Sequence, residues 1–257
     1  MPLDAQFLGV PGVDLWLFAG LSVASFVTTF FGIVSGAAGG LFLLAIMASV
    51  FPPAVLLPVH TVVQLGAGSS RAILMWRYVM RGTLLPFLAG AVLGAVAGAQ
   101  IFVSLSTATL QAILGVSILV LTWMPRFGRV GREGHRFAAL GFGATFLGIF
   151  VSATGTLLAP FVASASPDRR NHASTLAALM VIVHSTKLVA FAALGMALGA
   201  YLPLMAAMVA TAACGNWVGG KVLDRMPERR FRLLFQLVLT ALGIRLLYAA
   251  GSAGGLW

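Results

Sequence analysis

From Leu15 onward the chain is a succession of apolar runs, several about 20 residues long, with most of its charge gathered in the gaps between them. A helix of that length spans the hydrocarbon core of a bilayer. Ten elements are expected, at roughly 15–33, 37–51, 54–78, 83–104 and 107–123, then 137–154, 156–166, 172–194, 200–222 and 231–250. The second element of each half is too short to cross comfortably and follows a break of small residues. Both read as half-helices or re-entrant pieces, which are tolerated at membrane depth only when buried in protein or lining a cavity. Composition excludes the main alternatives. With 60% apolar and 9% charged residues, the chain is far from a soluble domain, where about a quarter of residues are charged, and equally far from a disordered one. The net charge of +10 would suit nucleic acid only as a basic patch on a wetted surface. Here the cations punctuate apolar runs, so no nucleic-acid partner is expected and the lipid bilayer is.

The two halves resemble one another. Phe30-Phe-Gly-Ile-Val-Ser-Gly-Ala-Ala-Gly is matched 116 positions later by Phe146-Leu-Gly-Ile-Phe-Val-Ser-Ala-Thr-Gly. Leu85-Pro86 returns as Leu202-Pro203, Gly98 falls opposite Gly215, and Arg71 opposite Lys187, all at offsets of 116 or 117. This agreement points to an internal duplication, with a first repeat at 1–125, a basic connecting loop at 126–136 and a second repeat at 137–257.

Charge then sets orientation. Thirteen of the 16 Lys and Arg residues fall near 77–81, 126–136, 169–170 and 221–232, whereas 51–53, 104–107, 195–199 and both termini carry none. Cytoplasmic loops collect Lys and Arg. One threading satisfies that rule, with both termini outside and the second half repeating the first upside down. The expected fold is therefore an all-α polytopic membrane protein of two inverted repeats, each with four to five transmembrane or re-entrant helices. That amounts to eight full spans plus two short broken segments, a plan that recurs in secondary transporters.

Few residues could carry chemistry. Arg71 and Lys187 lie within apolar elements, each about 10 Å from one helix end, and all six carboxylates fall at ends or in loops. A cation inside the membrane costs at least ~2.5–3.5 kcal/mol and marks a function unless it snorkels. An anionic substrate would supply the missing counter-charge. The breaks at Ser35, Gly36, Gly39 and Gly40, and at Ser152, Thr154, Gly155 and Thr156, precede the half-helices. Helix N-termini expose unpaired N–H groups and partial positive charge, so two of them meeting would cradle an anion. His60, Gln64 and Arg71 share one face of the third element, and His184 lies three residues before Lys187. These histidines are candidate anion contacts or proton carriers. Gly94, Gly98, Gly215 and Gly219 read as close helix packing, Asn216 and Gln100 as amides bridging helices, Arg245 as a snorkelling cation, and Cys214 as a small packing residue.

The segments FFGIVSGAAGGLFLL and FLGIFVSATGTLLAP, with His60-Thr61, Ala173-Ser174-Thr175 and the glycine-spaced fourth and ninth elements, make the chain similar to the sulfite exporter TauE/SafE family over nearly its whole length. Leu44 stands where the family shows proline after the first glycine run, while Pro160 keeps it in the second. The resemblance implies a bacterial inner-membrane transporter that exports sulfite or a small organosulfonate such as sulfoacetate. No cofactor, metal or enzymatic activity is expected. A small anion, a coupling proton or ion and a second copy of the chain are the candidate partners. A passive anion channel, or a carrier of another anion or of a cation, remains the alternative.

Overall fold

The protein is described by a computed structural model covering residues 6–35, 38–123, 133–152, 154–196, 198–222 and 228–253. Gly36 and residues 126–132 of the basic loop lie outside the described residues. The described chain forms ten α-helices: α1 (Leu15–Ser35), α2 (Ala38–Ala48), α3 (Pro53–Leu74), α4 (Leu84–Phe102), α5 (Thr107–Trp123), α6 (Glu133–Val151), α7 (Gly155–Ala165), α8 (Arg169–Ala193), α9 (Leu202–Val222) and α10 (Glu228–Ala253). Four stretches are individually long and apolar enough to cross a membrane, Leu15–Gly32, Arg81–Phe102, Arg170–Ala193 and Gly199–Gly219. The half-helices α2 and α7 have 11 residues each. Large apolar side chains such as Trp16, Ile73, Leu93, Val189 and Trp217 point away from the protein. Exposed apolar surface on that scale suits lipid rather than water.

Packing shows the duplication. α1 lies against α9 and α4 against α6, α3 meets α9 as α8 meets α4, and the two pairs of corresponding helices, α3 with α8 and α5 with α10, pack on each other. The corresponding helices run antiparallel. Gly68 faces Val181 while the Met80 amide reaches Thr175, and Gly115 faces Leu247 while Trp123 donates to Thr240. Two copies whose equivalent helices oppose one another are related by an inversion of direction, as an inverted repeat requires.

Glycine makes the closest approaches. On α4, Gly90 and Gly94 lie against the Ala138 and Phe142 carbonyls of α6, and Gly141 returns the contact on Phe87. In the mate, Gly215 of α9 lies on Phe26 of α1, where Ser25 also donates to the Met208 carbonyl at 2.8 Å. These contacts put backbone on backbone, the arrangement that small residues permit where lipid supplies no hydrophobic driving force between helices.

At one end, the described cations Arg77, Arg81, Arg136, Arg170 and Lys221 gather. Asp168 caps α8 by accepting from the Arg170 and Asn171 amides, and Asn171 and Arg170 then hold Tyr78. Two expectations need correction. α3 ends at Leu74 rather than near 78, because Met75 leaves helical geometry at φ −111 and ψ 16 and a 3₁₀ turn follows. Arg71 thus lies about one turn, roughly 5 Å, from its helix end. Cys214 faces outward instead of packing inside. Arg245, expected to snorkel, is exposed and donates to the Ser49 carbonyl at 3.4 Å, just past the C-terminal end of α2.

Candidate functional site

The N-terminal residues of both half-helices, Gly39 and Gly40 of α2 and Gly155 of α7, line one cavity, and the two half-helices contact each other. Each C-terminal end meets an arginine. Arg136 donates to the Phe161 carbonyl at 2.6 Å and to Ser164 at the end of α7, and Arg245 lies at the corresponding end of α2. Cations at C-termini and open N–H groups at the inner ends align both helix dipoles with positive potential at the centre.

A cavity of about 110 Å³ lies there, lined by Gly39, Gly40, Gln64, Arg71, Ser152, Gly155, His184 and Asn216 among others. The Arg71 guanidinium donates to Asn216 Oδ1 at 2.9 Å, and the Asn216 amide donates to the Ala67 carbonyl at 2.9 Å. Asn216 therefore aims Arg71 as well as bridging helices. Two polar atoms are buried without a partner there, Nδ1 of His184, which lines the cavity from within α8, and Oγ1 of Thr154, which precedes α7. Buried polar atoms are ordinarily satisfied, so unpaired ones beside a cavity call for a ligand or water.

Lys187 does not line the cavity. It is fully buried one layer behind, donating to Ser152 Oγ at 2.7 Å, its stem against Gly148 and its ammonium 5.9 Å from the Phe191 ring. Phe102 packs on both Phe191 and Phe150, closing that side. Because α3 and α8 are antiparallel, Arg71 and Lys187 fall on opposite sides of their crossing point. Arg71 faces the open cavity toward the basic end, whereas Lys187 is enclosed. His60, also fully buried, bonds Ser152 Oγ through Nδ1 at 3.0 Å and the Gly40 carbonyl through Nε2 at 2.9 Å.

Of the residues expected from sequence, Gly39, Gly40, Gln64, Arg71, Gly155 and His184 meet at the cavity. His60, Thr154 and Lys187 form the layer behind it. Thr156 is half-buried on the first turn of α7, and Ser35 is the last residue of α1. Ser152, read from the sequence only as the start of the second break and given no role of its own, joins His60 to Lys187. It has φ +60, a left-handed conformation uncommon outside glycine, and it stands 116 positions after Gly36. A hydroxyl residue at a break where the other repeat has glycine was the available signal.

The glycines of the site differ in what they tolerate. A Cβ on Gly39 would lie 2.2 Å from the Thr28 carbonyl, on Gly40 2.1 Å from Gln64 Nε2, and on Gly155 no nearer than 3.7 Å to Met180. Gly155→Ala is expected to fold and bind as the parent does. Gly40→Ala is expected to fold, since only a flexible side chain must move, but to bind anions about tenfold more weakly because it pushes Gln64 into the cavity. Parallel thermal-melt and binding measurements on the two variants check this, and equal affinities would place the ligand elsewhere.

The model of the sulfite exporter TauE/SafE family matches residues 21–246. No curated protein and no solved structure matches the chain. With nearly the whole sequence covered, the chain belongs to the TauE/SafE family and is an integral membrane transport protein.

Proposed function

We propose that this TauE/SafE protein is a secondary transporter, working as an exporter, of a small oxyanion: sulfite or an organosulfonate such as sulfoacetate. One observation carries the reading. Two opposed half-helix N-termini, the Arg71 guanidinium and the partnerless His184 Nδ1 converge on one cavity, and the described carboxylates Asp14 and Asp168 stand at helix ends. A sulfonate or sulfite headgroup offers three acceptor oxygens and negative charge, the complement of backbone N–H groups and a guanidinium fork. Hard cations would want carboxylate oxygens in the same place.

With the basic end cytoplasmic, both termini lie outside a bacterial inner membrane and the cavity faces inward, with Arg71 as the cation met by an arriving anion. Rocking of one repeat against the other would close the cavity around Arg71 and open the enclosed side around Lys187. Coupling to a proton belongs to this reading.

The test is a thermal-shift and calorimetric screen of purified protein against sulfite, sulfoacetate, taurine, sulfate and carboxylate analogues, followed by counterflow in liposomes. Stabilisation by sulfite or a sulfonate, growing with ligand concentration, and accelerated exchange from preloaded vesicles are expected. Binding confined to carboxylates would overturn the substrate assignment, and non-saturating flux without counterflow would make the protein a channel.

A further inference from the structure

Resting on the anion-site reading, we propose that the coupled proton is taken up at His60, within a hydrogen-bonded chain Lys187–Ser152–His60–Gly40, and that proton and anion bind cooperatively. The chain joins the breaks of both repeats. Ser152 lies in the break between α6 and α7, Gly40 lies in the first turn of α2, and His60 and Lys187 come from α3 and α8.

The donor pattern is nearly forced. The Gly40 carbonyl can only accept, so His60 Nε2, at 2.9 Å, carries hydrogen in every state. Lys187 Nζ donates to Ser152 Oγ. The Ser152 hydroxyl hydrogen is left with two destinations, His60 Nδ1 at 3.0 Å or Thr61 Oγ1 at 3.3 Å. Pointing at Nδ1, it keeps His60 neutral. Turned to Thr61, whose own hydrogen goes to the Leu57 carbonyl, it leaves Ser152 Oγ free to accept from a protonated Nδ1. One proton arriving from water is thus accommodated by rotating one hydroxyl, with the His60 ring nitrogens and the Ser152 and Thr61 hydroxyl hydrogens paired before and after.

What opposes uptake is burial, since His60 is fully buried, and then charge. Facing the chain are Lys187 and His184 from α8 and, across the cavity, Arg71 from α3. The adjoining parts of α1, α2, α6, α7 and α9 present Thr29, the Gly40 backbone, Gly148, Thr154 and Asn216. His172 is tied to the Ala159 carbonyl nearer the basic end. Asp14 and Asp168 cap α1 and α8 at their ends, and Glu133 and Glu228 are the first residues of α6 and α10, so the carboxylates among the described residues stand at helix starts rather than beside the chain. Gly40 and Ser152 belong both to the chain and to the cavity lining, which puts a bound anion against the proton site. The anion supplies the absent counter-charge, and by linkage the proton strengthens anion binding by the same factor.

The test uses methanesulfonate, which does not titrate near neutral pH, on the full-length purified protein. Calorimetry in buffers of different ionisation enthalpy is expected to show uptake approaching one proton per bound anion. Affinity should weaken by up to about tenfold per pH unit as pH rises through the coupled range. His60→Gln, which keeps a donor for Gly40 but cannot titrate, should bind methanesulfonate with no proton uptake and no pH dependence. Should that variant fail to fold, Ser152→Ala serves, because without the hydroxyl the uptake should fall while His60 and Lys187 remain. Uptake that survives in His60→Gln, or in Ser152→Ala if that is the variant used, or that is lost instead in His184→Gln, would overturn the assignment. Methanesulfonate binding without uptake by the parent protein would overturn it too, leaving the anion site intact. Binding of none of methanesulfonate, sulfite and sulfoacetate would end the anion reading and the proton site with it.

Discussion

Arg71→Ala should weaken sulfite or sulfonate binding by about 10- to 100-fold while the protein still purifies folded. A hydrogen bond to a charged group contributes about 1.5–3 kcal/mol, and every 1.4 kcal/mol is tenfold in affinity. The side chain reaches into a cavity rather than a packed core, and its partner Asn216 keeps its bond to the Ala67 carbonyl when the guanidinium is gone. Structure should therefore survive the loss better than binding does. Lys187 needs a different substitution, because it is fully buried and alanine would leave a void as well as remove a charge. Lys187→Met keeps the volume and should also lower affinity, through the lost charge behind Ser152. Calorimetric titration of both variants, with size-exclusion profiles to verify folding, decides the matter. Unchanged affinity in both would remove the two cations from the site.

Gly90→Val should abolish folded protein or destabilise it by more than about 3 kcal/mol, among the largest effects of a single substitution. A Cβ there would lie 1.9 Å from the Ala138 carbonyl oxygen and 2.8 Å from the Phe142 amide. Those are backbone atoms of α6, and no side-chain rotation can relieve the clash. The helices would have to separate, undoing the close contact that Gly94 and Gly141 share. Gly143→Ala is the control. It lies on α6 as well but has open space around it, so its melting temperature should match or exceed that of the parent. Equal melting of Gly90→Val and Gly143→Ala would show that α4 and α6 do not pack as described.

Much of the plan is legible in the residues. Run lengths locate the elements, the short second run of each half marks the half-helices, and the offset of 116 pairs the repeats. The breaks at Gly39, Gly40 and Gly155 do meet a cavity, as does Arg71. The facing of individual side chains is much less legible. Asn216 and Gln100 look alike as lone amides in apolar helices, yet one holds Arg71 and the other is exposed. Arg71 and Lys187 are symmetric by position, yet one lines the cavity and the other is enclosed.

By itself the amino-acid order determined that the chain crosses a membrane, that it is built twice in opposite directions and that its broken helices are electropositive. Those properties follow from hydropathy, charge and glycine, which act locally along the chain. Tertiary structure decided which polar groups meet, which cation is open, and that Ser152 joins His60 to Lys187. In water an apolar stripe tells which face of a helix turns inward. In lipid the inner and outer faces are equally apolar, so that choice rests on the fit of neighbouring helices, which appears only once they are assembled.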